Sequence, residues 1–227
     1  GIELFENKKS CCGCGACANI CPKGAITMKP DKWGYSYPVV DSVVAFHVGH
    51  AKKVCSYQNG ISLHEPIRAY AVVNKTQQQL EKSASGGVFS AVATYFLKNE
   101  GVVYGAALDF EGGHPIAHLV GIDDASQLWR LQGSKYVQSA VEQTYKQAKQ
   151  NLDAGKKVLF SGTPCQIAGL YGYLKKEYTN LWTIGCDMHG VPNLKIFDDY
   201  LSIEGKKRGG VPTGYSFRDK KRGWGMN

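Results

Sequence analysis

The sequence lacks any run of apolar residues approaching the ~20 needed to cross a bilayer as a helix, so a membrane span is not expected. Its opening, GIELFENKKSCC, has neither the basic start nor the apolar stretch of a secretory leader. Internal repeats and low-complexity tracts are missing, which excludes solenoid and compositionally biased architectures. No stretch interleaves basic with aromatic residues, and no helix-turn-helix pattern occurs, so nucleic acid is not an expected partner.

What remains is an ordinary globular composition with an unusual use of cysteine. The 227 residues suffice for one good-sized domain and a small appendage. Hydrophobic residues make up 43% and charged residues 20%. Basic residues outnumber acidic ones, 27 to 19, giving a formal charge of +8. The excess is diffuse, with short runs at 206–208 and in RDKKRGW near the end. A solvated face is the plainer reading; contact with an anionic cofactor or with a redox partner, protein or small electron carrier, is the other.

Five of the eight cysteines crowd into residues 11–21, and the others are Cys55, Cys165 and Cys186. Crowding suits metal ligation better than separated disulfide staples, and it implies a reducing compartment, the cytoplasm. In CCGCGACANICP, Cys11, Cys14, Cys17 and Cys21 are spaced C-x2-C-x2-C-x3-C and followed by Pro22, the run of bacterial 4Fe-4S ferredoxins. Closely spaced thiolates on a tight loop can take three corners of the cube, and Gly13 and Gly15 let the backbone come close. A zinc knuckle or disulfides are the competing readings.

In two-cluster ferredoxins the fourth cysteine of each run serves the other cluster. The stretch AFHVGHAKKVCSYQ, residues 45–58, aligns on a second run when Cys55 is set as its fourth cysteine. The first three ligand positions are then Ala45, Val48 and Ala51, and the usual proline is Ser56. Every sulfur of a second cube is gone, while the one that would cross to the first is kept. The expectation is one 4Fe-4S cluster held by Cys11, Cys14, Cys17 and Cys55, with Cys21 left over and Cys12 without a role. The rivals are Cys21 as fourth ligand and Cys55 as an incidental buried cysteine.

Residues 1–62 have little periodicity, with short strands at AITM and YSYPVV, as in a small domain whose metal does much of the work of a core. From 63 to 227 the texture alternates. Strands are predicted at 68–74, 102–108, 116–122, 156–162 and 180–186, and helices at 85–101, 141–155, 163–178 and 193–205. The predicted fold is an α+β ferredoxin-like N-terminal domain followed by an α/β domain with a mixed, largely parallel sheet.

At SASGGVFSAVA, GSKYVQS, VLFSGTPCQIAGL, HGVPN and FRDKKRGWG the chain resembles the coenzyme F-420 hydrogenase/dehydrogenase beta-subunit family, in its bacterial branch with an N-terminal ferredoxin domain. The resemblance covers nearly all of residues 10–227. It implies an iron–sulfur flavoprotein that passes electrons between clusters and FAD, with a deazaflavin as hydride acceptor in the best-understood members. It also implies flavin contacts at Ser83, Ser85, Gly86 and Gly87, where Ser85 would cap a helix whose free amides can cradle phosphate. A plain helix cap is the other reading. Lys135 and Tyr136 would offer a cation and a ring to the cofactor, or serve ordinary loop packing. Relatives carry arginine where this chain has Gln132.

Thr163 and Cys165 open a helix behind a strand, with Pro164 in the first turn, and a thiol there is expected to ionise easily. Cys165 reads as a flavin-lining or cluster-ligating residue, as a structural cysteine, or as a catalytic nucleophile. His189, at a strand end, is the second catalytic candidate, or a structural histidine. Two departures stand out: Met188 occupies the place of a cysteine, and relatives continue past RDKKRGWGMN with a further C-x2-C pair, so the α/β domain is expected to be truncated. The leading function is an iron–sulfur flavoprotein oxidoreductase. Its alternatives are a non-catalytic remnant or electron-transfer module with a structural cluster, and a thiol transferase using Cys165.

Overall fold

The computed structural model describes residues 4, 5, 7–22, 24–41, 48–60 and 65–218. Ala45 of the degenerate motif, residues 62–64 of the connector and the basic stretch beyond 218 lie outside the described residues.

The N-terminal part is built from short pieces. A 3-10 turn at Lys8–Ser10 leads into the cysteine loop and helix α1 (Ala16–Ile20). Strands β1 (Ile26–Pro30) and β2 (Ser36–Val40) form an antiparallel hairpin in register from Ile26 opposite Val40 to Pro30 opposite Ser36. Asp31 shapes its turn by accepting from the backbone N–H groups of Trp33 and Tyr35 at 2.9 and 3.1 Å. Helices α2 (Val48–Lys53) and α3 (Ser56–Asn59) follow. This combination of hairpin and helices fits the ferredoxin-like expectation.

After α4 (Gln77–Glu81) and α5 (Val88–Lys98) come strands β3 (Val102–Glu111) and β4 (His114–Ile122). They pair antiparallel through the two-residue turn Gly112–Gly113, both with positive φ, the geometry a tight hairpin demands. A 3-10 helix at Ala125–Arg130, α6 (Thr144–Asp153), β5 (Val158–Gly162), α7 (Pro164–Leu174), β6 (Leu181–Gly185) and α8 (Leu194–Arg208) complete the order. The four strands lie as β4-β3-β5-β6, with β5 parallel to both neighbours. The mixed, largely parallel sheet is thus present.

Alternation along the strands sends side chains to two cores. Tyr104, Leu119, Val158 and Phe160 join Tyr145, Ala148 and Leu170 of α6 and α7 on one face. Val103, Ile122 and Leu159 meet Ala93, Phe96 and Leu97 of α5 on the other. β5 is buried on both sides, which is why VLF is an unbroken apolar run. Each such side chain contributes roughly 1.5–3 kcal/mol over leaving it in water. Ala16 of α1 and Val54 also belong to the first core, so the cysteine loop packs against α6 and α7.

The strand predicted at 68–74 is not formed. Residues 65–73 are exposed, Ile67 by 95%, and among the described residues they pair with no strand of the sheet. The β-branched composition reads as a strand, but β propensity expresses itself only against a partner. The basic run at 206–208 ends α8, where cations are favoured by the helix dipole, and Glu204 pairs with Lys207 and Arg208.

Candidate metal centre

Cys11, Cys14, Cys17 and Cys55 line one small cavity, together with Cys12. Its other walls are largely apolar: Leu4, Phe5, Met28, Pro38 and Ala51. Cys11 and Cys14 come from the loop between the 3-10 turn and α1, and Cys17 from the first turn of α1. Cys55 arrives from the junction of α2 and α3, held in place by Val54 and Ala51, each 1% exposed. Cys21, 2% exposed, is turned instead into the cluster of Leu4, Ala25, Ile26 and Ala51. Burial pushes the Cys11 thiol up, and the nearby sulfurs of Cys12 and Cys55 add to the shift. Burial likewise pushes Cys17 to about 12, reinforced by Cys11 and Cys55.

Soft sulfur donors converging in an apolar pocket are a donor set suited to an iron–sulfur cluster. Among the described residues no three of the Cys, His, Asp or Glu side chains gather as for a single metal ion. A cube, by contrast, takes one thiolate at each of four separate corners. The residues present fit the group.

The loop is anchored to the α/β sheet at its back. The Tyr145 hydroxyl lies 3.0 Å from the Cys14 carbonyl and 2.8 Å from that of Gln166, and its one proton is shared between them. Asn19 donates to the carbonyls of Gly15 and Glu142 at 3.1 and 2.7 Å. Gly169 of α7 faces Cys14 so closely that a Cβ there would stand 3.1 Å from its Sγ and 2.8 Å from the Tyr145 hydroxyl. Nothing in the local sequence marks Tyr145, Gln166 or Gly169, because their partners lie far away along the chain.

Thr163 caps α7 in a reciprocal arrangement with Gln166, whose Oε1 accepts from the Thr163 N–H at 3.0 Å. Cys165 follows, its Sγ 3.0 Å from the Thr163 hydroxyl. The easily ionised thiol expected at this helix start is not found. The neighbouring Cys12 thiol and burial push the Cys165 thiol up, against the lowering expected at the first turn of α7. His189 is exposed beyond β6 and lines neither this cavity nor the cleft described next.

Of the remaining predicted residues, two line a second feature, a cleft of about 970 Å³ between the end of α4, β3, the 3-10 helix at Ala125–Arg130 and residues 213–218, and Ser85, Gly86, Gly87 and Tyr136 do not. Ser83 and Lys135 line it, with the ring of Trp129. Four cations on its walls, Lys82, Arg130, Lys135 and Arg218, face two carboxylates, Glu81 and Asp109, so an anionic ligand is favoured. Partial burial pushes the Asp109 carboxyl up, but hydrogen bonds from His118 and Arg130, each 2.8 Å, outweigh it and hold it below the usual range. Lys135 donates to the carbonyls of Arg130 and Gln132 at 2.9 and 2.7 Å, and burial brings it down to about 8. Tyr136 stands behind the wall, edge-on to Phe217 at 5.6 Å.

The SASGG stretch lies differently from its expected role. Gly87, at φ +81°, is the N-cap of α5 in place of Ser85. Ser83 donates to the Gln79 carbonyl and contacts Ser90 inside the fold. Residues 72–74 run over Gly86: Asn74 donates to its carbonyl at 2.7 Å, and a Cβ on Gly86 would stand 2.5 Å from the Val72 carbonyl oxygen. The start of α5 is therefore covered by the chain's own backbone.

Among the described residues no helix is long and apolar enough to cross a membrane. No curated protein matches the chain. Residues 5–27, which contain Cys11, Cys14, Cys17 and Cys21 but not Cys55, match the family described as 4Fe-4S binding domain. This match over residues 5–27 suggests iron–sulfur electron transfer.

Proposed function

We propose that the chain is an iron–sulfur flavoprotein oxidoreductase in which Cys11, Cys14, Cys17 and Cys55 hold one 4Fe-4S cluster and the cationic cleft takes FAD. The observation that carries this reading is the meeting of Cys55 with Cys11, Cys14 and Cys17 on the wall of one apolar cavity. When bound, the cluster supplies one-electron steps and the flavin couples them to a two-electron reduction of the acceptor. The family resemblance makes a deazaflavin the acceptor to try first. Lys82, Lys135 and Arg218 would neutralise the pyrophosphate, and Trp129 offers a face for an aromatic ring. The size of the cleft suits a ligand of this class.

Anaerobic reconstitution of the chain with iron, sulfide and FAD tests the reading. About four irons and one flavin per chain are expected. About eight irons would overturn the single cluster, and failure to retain flavin after gel filtration would overturn the flavoprotein.

A pH dependence accompanies the cleft. Lys135 is charged below about 8 and neutral above it, so its contribution to anion binding is complete at pH 7 and lost as pH rises through that value. FAD affinity measured by flavin fluorescence should weaken between pH 7 and 9, and Lys135→Met should flatten that dependence. An unchanged slope in the variant assigns the dependence to another group.

A further inference from the structure

Helix α8 carries more apolar surface than the fold covers. Phe197 and Leu201 are buried against Ala117 and Val137. On its outward side Ile196, Tyr200 and Ile203 remain exposed, by 60%, 46% and 53%. Their spacing, i, i+4 and i+7, is that of one seam along a helix, and the stem of Lys207 extends it by a further turn. A surface helix is ordinarily polar on its outward face. One stray apolar side chain there needs no explanation, whereas an aligned row is what a second helix packs against. Tyr215, edge-on to Tyr200 with ring centroids 6.3 Å apart, carries this surface onto residues 213–218, which wall the cationic cleft.

The charges beside the seam say what covers it. Asp199 and Lys206 stand one heptad apart and so on the same flank. Asp199 accepts from Lys195 at 2.6 Å with one carboxylate oxygen, while Lys206 makes no ion pair among the described residues. Two such helices laid antiparallel set Tyr200 of one against Ile203 of the other, Ile196 against the Lys207 stem, and Asp199 opposite Lys206. Each contact is made twice about a two-fold axis, so the face is complementary to itself. Parallel pairing would instead set Asp199 beside Glu204, carboxylate against carboxylate.

We propose that the protein forms an isologous dimer through α8, a second copy of this chain covering the row Ile196, Tyr200 and Ile203. The dimer stands apart from the cluster and flavin assignments, since α8 holds none of their ligands. One pair of helices of about four turns is a small interface, so association is concentration-dependent rather than permanent. Through Tyr215 it also braces the wall of the cleft.

Sedimentation equilibrium on the full chain, loaded anaerobically with iron and sulfide, tests the proposal as concentration is raised through the micromolar range. The mass is expected to rise from the chain's 24.8 kDa toward twice that value. Ile203→Lys sets a cation into the seam of both copies and should weaken association by about tenfold or more. Its circular dichroism and iron content should stay those of the parent, because the side chain it replaces is exposed. Asp199→Lys and Lys206→Asp, made singly, place like charges across the flank and should each weaken association by about tenfold; combined, they exchange the two signs and should restore it. A mass of 24.8 kDa at every concentration would overturn the proposal. A dimer that Ile203→Lys leaves intact pairs through another surface, and sinks it equally. Failure of the combined exchange to restore a dimer that both single changes weaken refutes the antiparallel arrangement.

Discussion

Cys55→Ala should reduce reconstituted iron from about four atoms per chain to below about one, and remove the broad brown absorbance with it. The expected effect is large because, in the proposed assignment, Cys11, Cys14 and Cys17 would take three corners and only Cys55, from the junction of α2 and α3, would be left to take the fourth. Cys21→Ala is the matched control. Its sulfur packs against Leu4, Ala25 and Ile26, so its loss should cost about 1 kcal/mol of stability, as small core deletions do, and leave iron content intact. Iron and sulfide assays on the two variants in parallel decide the matter. If Cys21→Ala empties the site and Cys55→Ala does not, the cluster is closed within the loop and the cross-chain ligand is wrong.

Tyr145→Phe should destabilise the chain by about 1–3 kcal/mol, the cost of leaving buried carbonyls without a donor. The hydroxyl serves Cys14 and Gln166 together, and the side chain is fully buried against Phe160 and Tyr173. Burial pushes its phenol well above its ordinary value, so it stays a donor across the accessible pH range. For a chain of this length the shift in melting temperature is about 2–4 °C for each kcal/mol. Tyr145→Ala adds a cavity and should cost about 3–5 kcal/mol. Thermal unfolding of the iron-loaded chain measures both. A phenylalanine variant within about 0.5 kcal/mol of the parent would mean that the hydroxyl does not anchor the loop.

Local pattern carried part of this structure. The hairpin of β3 and β4 turns on Gly112–Gly113, a dipeptide that marks such turns, and the run at 158–160 is apolar throughout because β5 is covered on both faces. Helices α1 to α4 were not legible, since none exceeds six residues and a period of 3.6 needs a longer window to show. Lys135 has the residue type of an anion contact, yet its ammonium also holds the carbonyls of Arg130 and Gln132, a choice set by the path of the loop.

The spacing of the cysteines, and the survival of Cys55 in an otherwise emptied motif, were enough to name a set of sulfurs, because ligand spacing is a local property of the chain. So was the alternation of strands and helices, which follows from hydrophobic period. Tertiary structure alone decided that Cys55 reaches the cavity while Cys21 turns away, and that 68–74 finds no strand to pair with. Those outcomes depend on which distant surfaces pack together, and no window along the sequence contains both sides of such a contact.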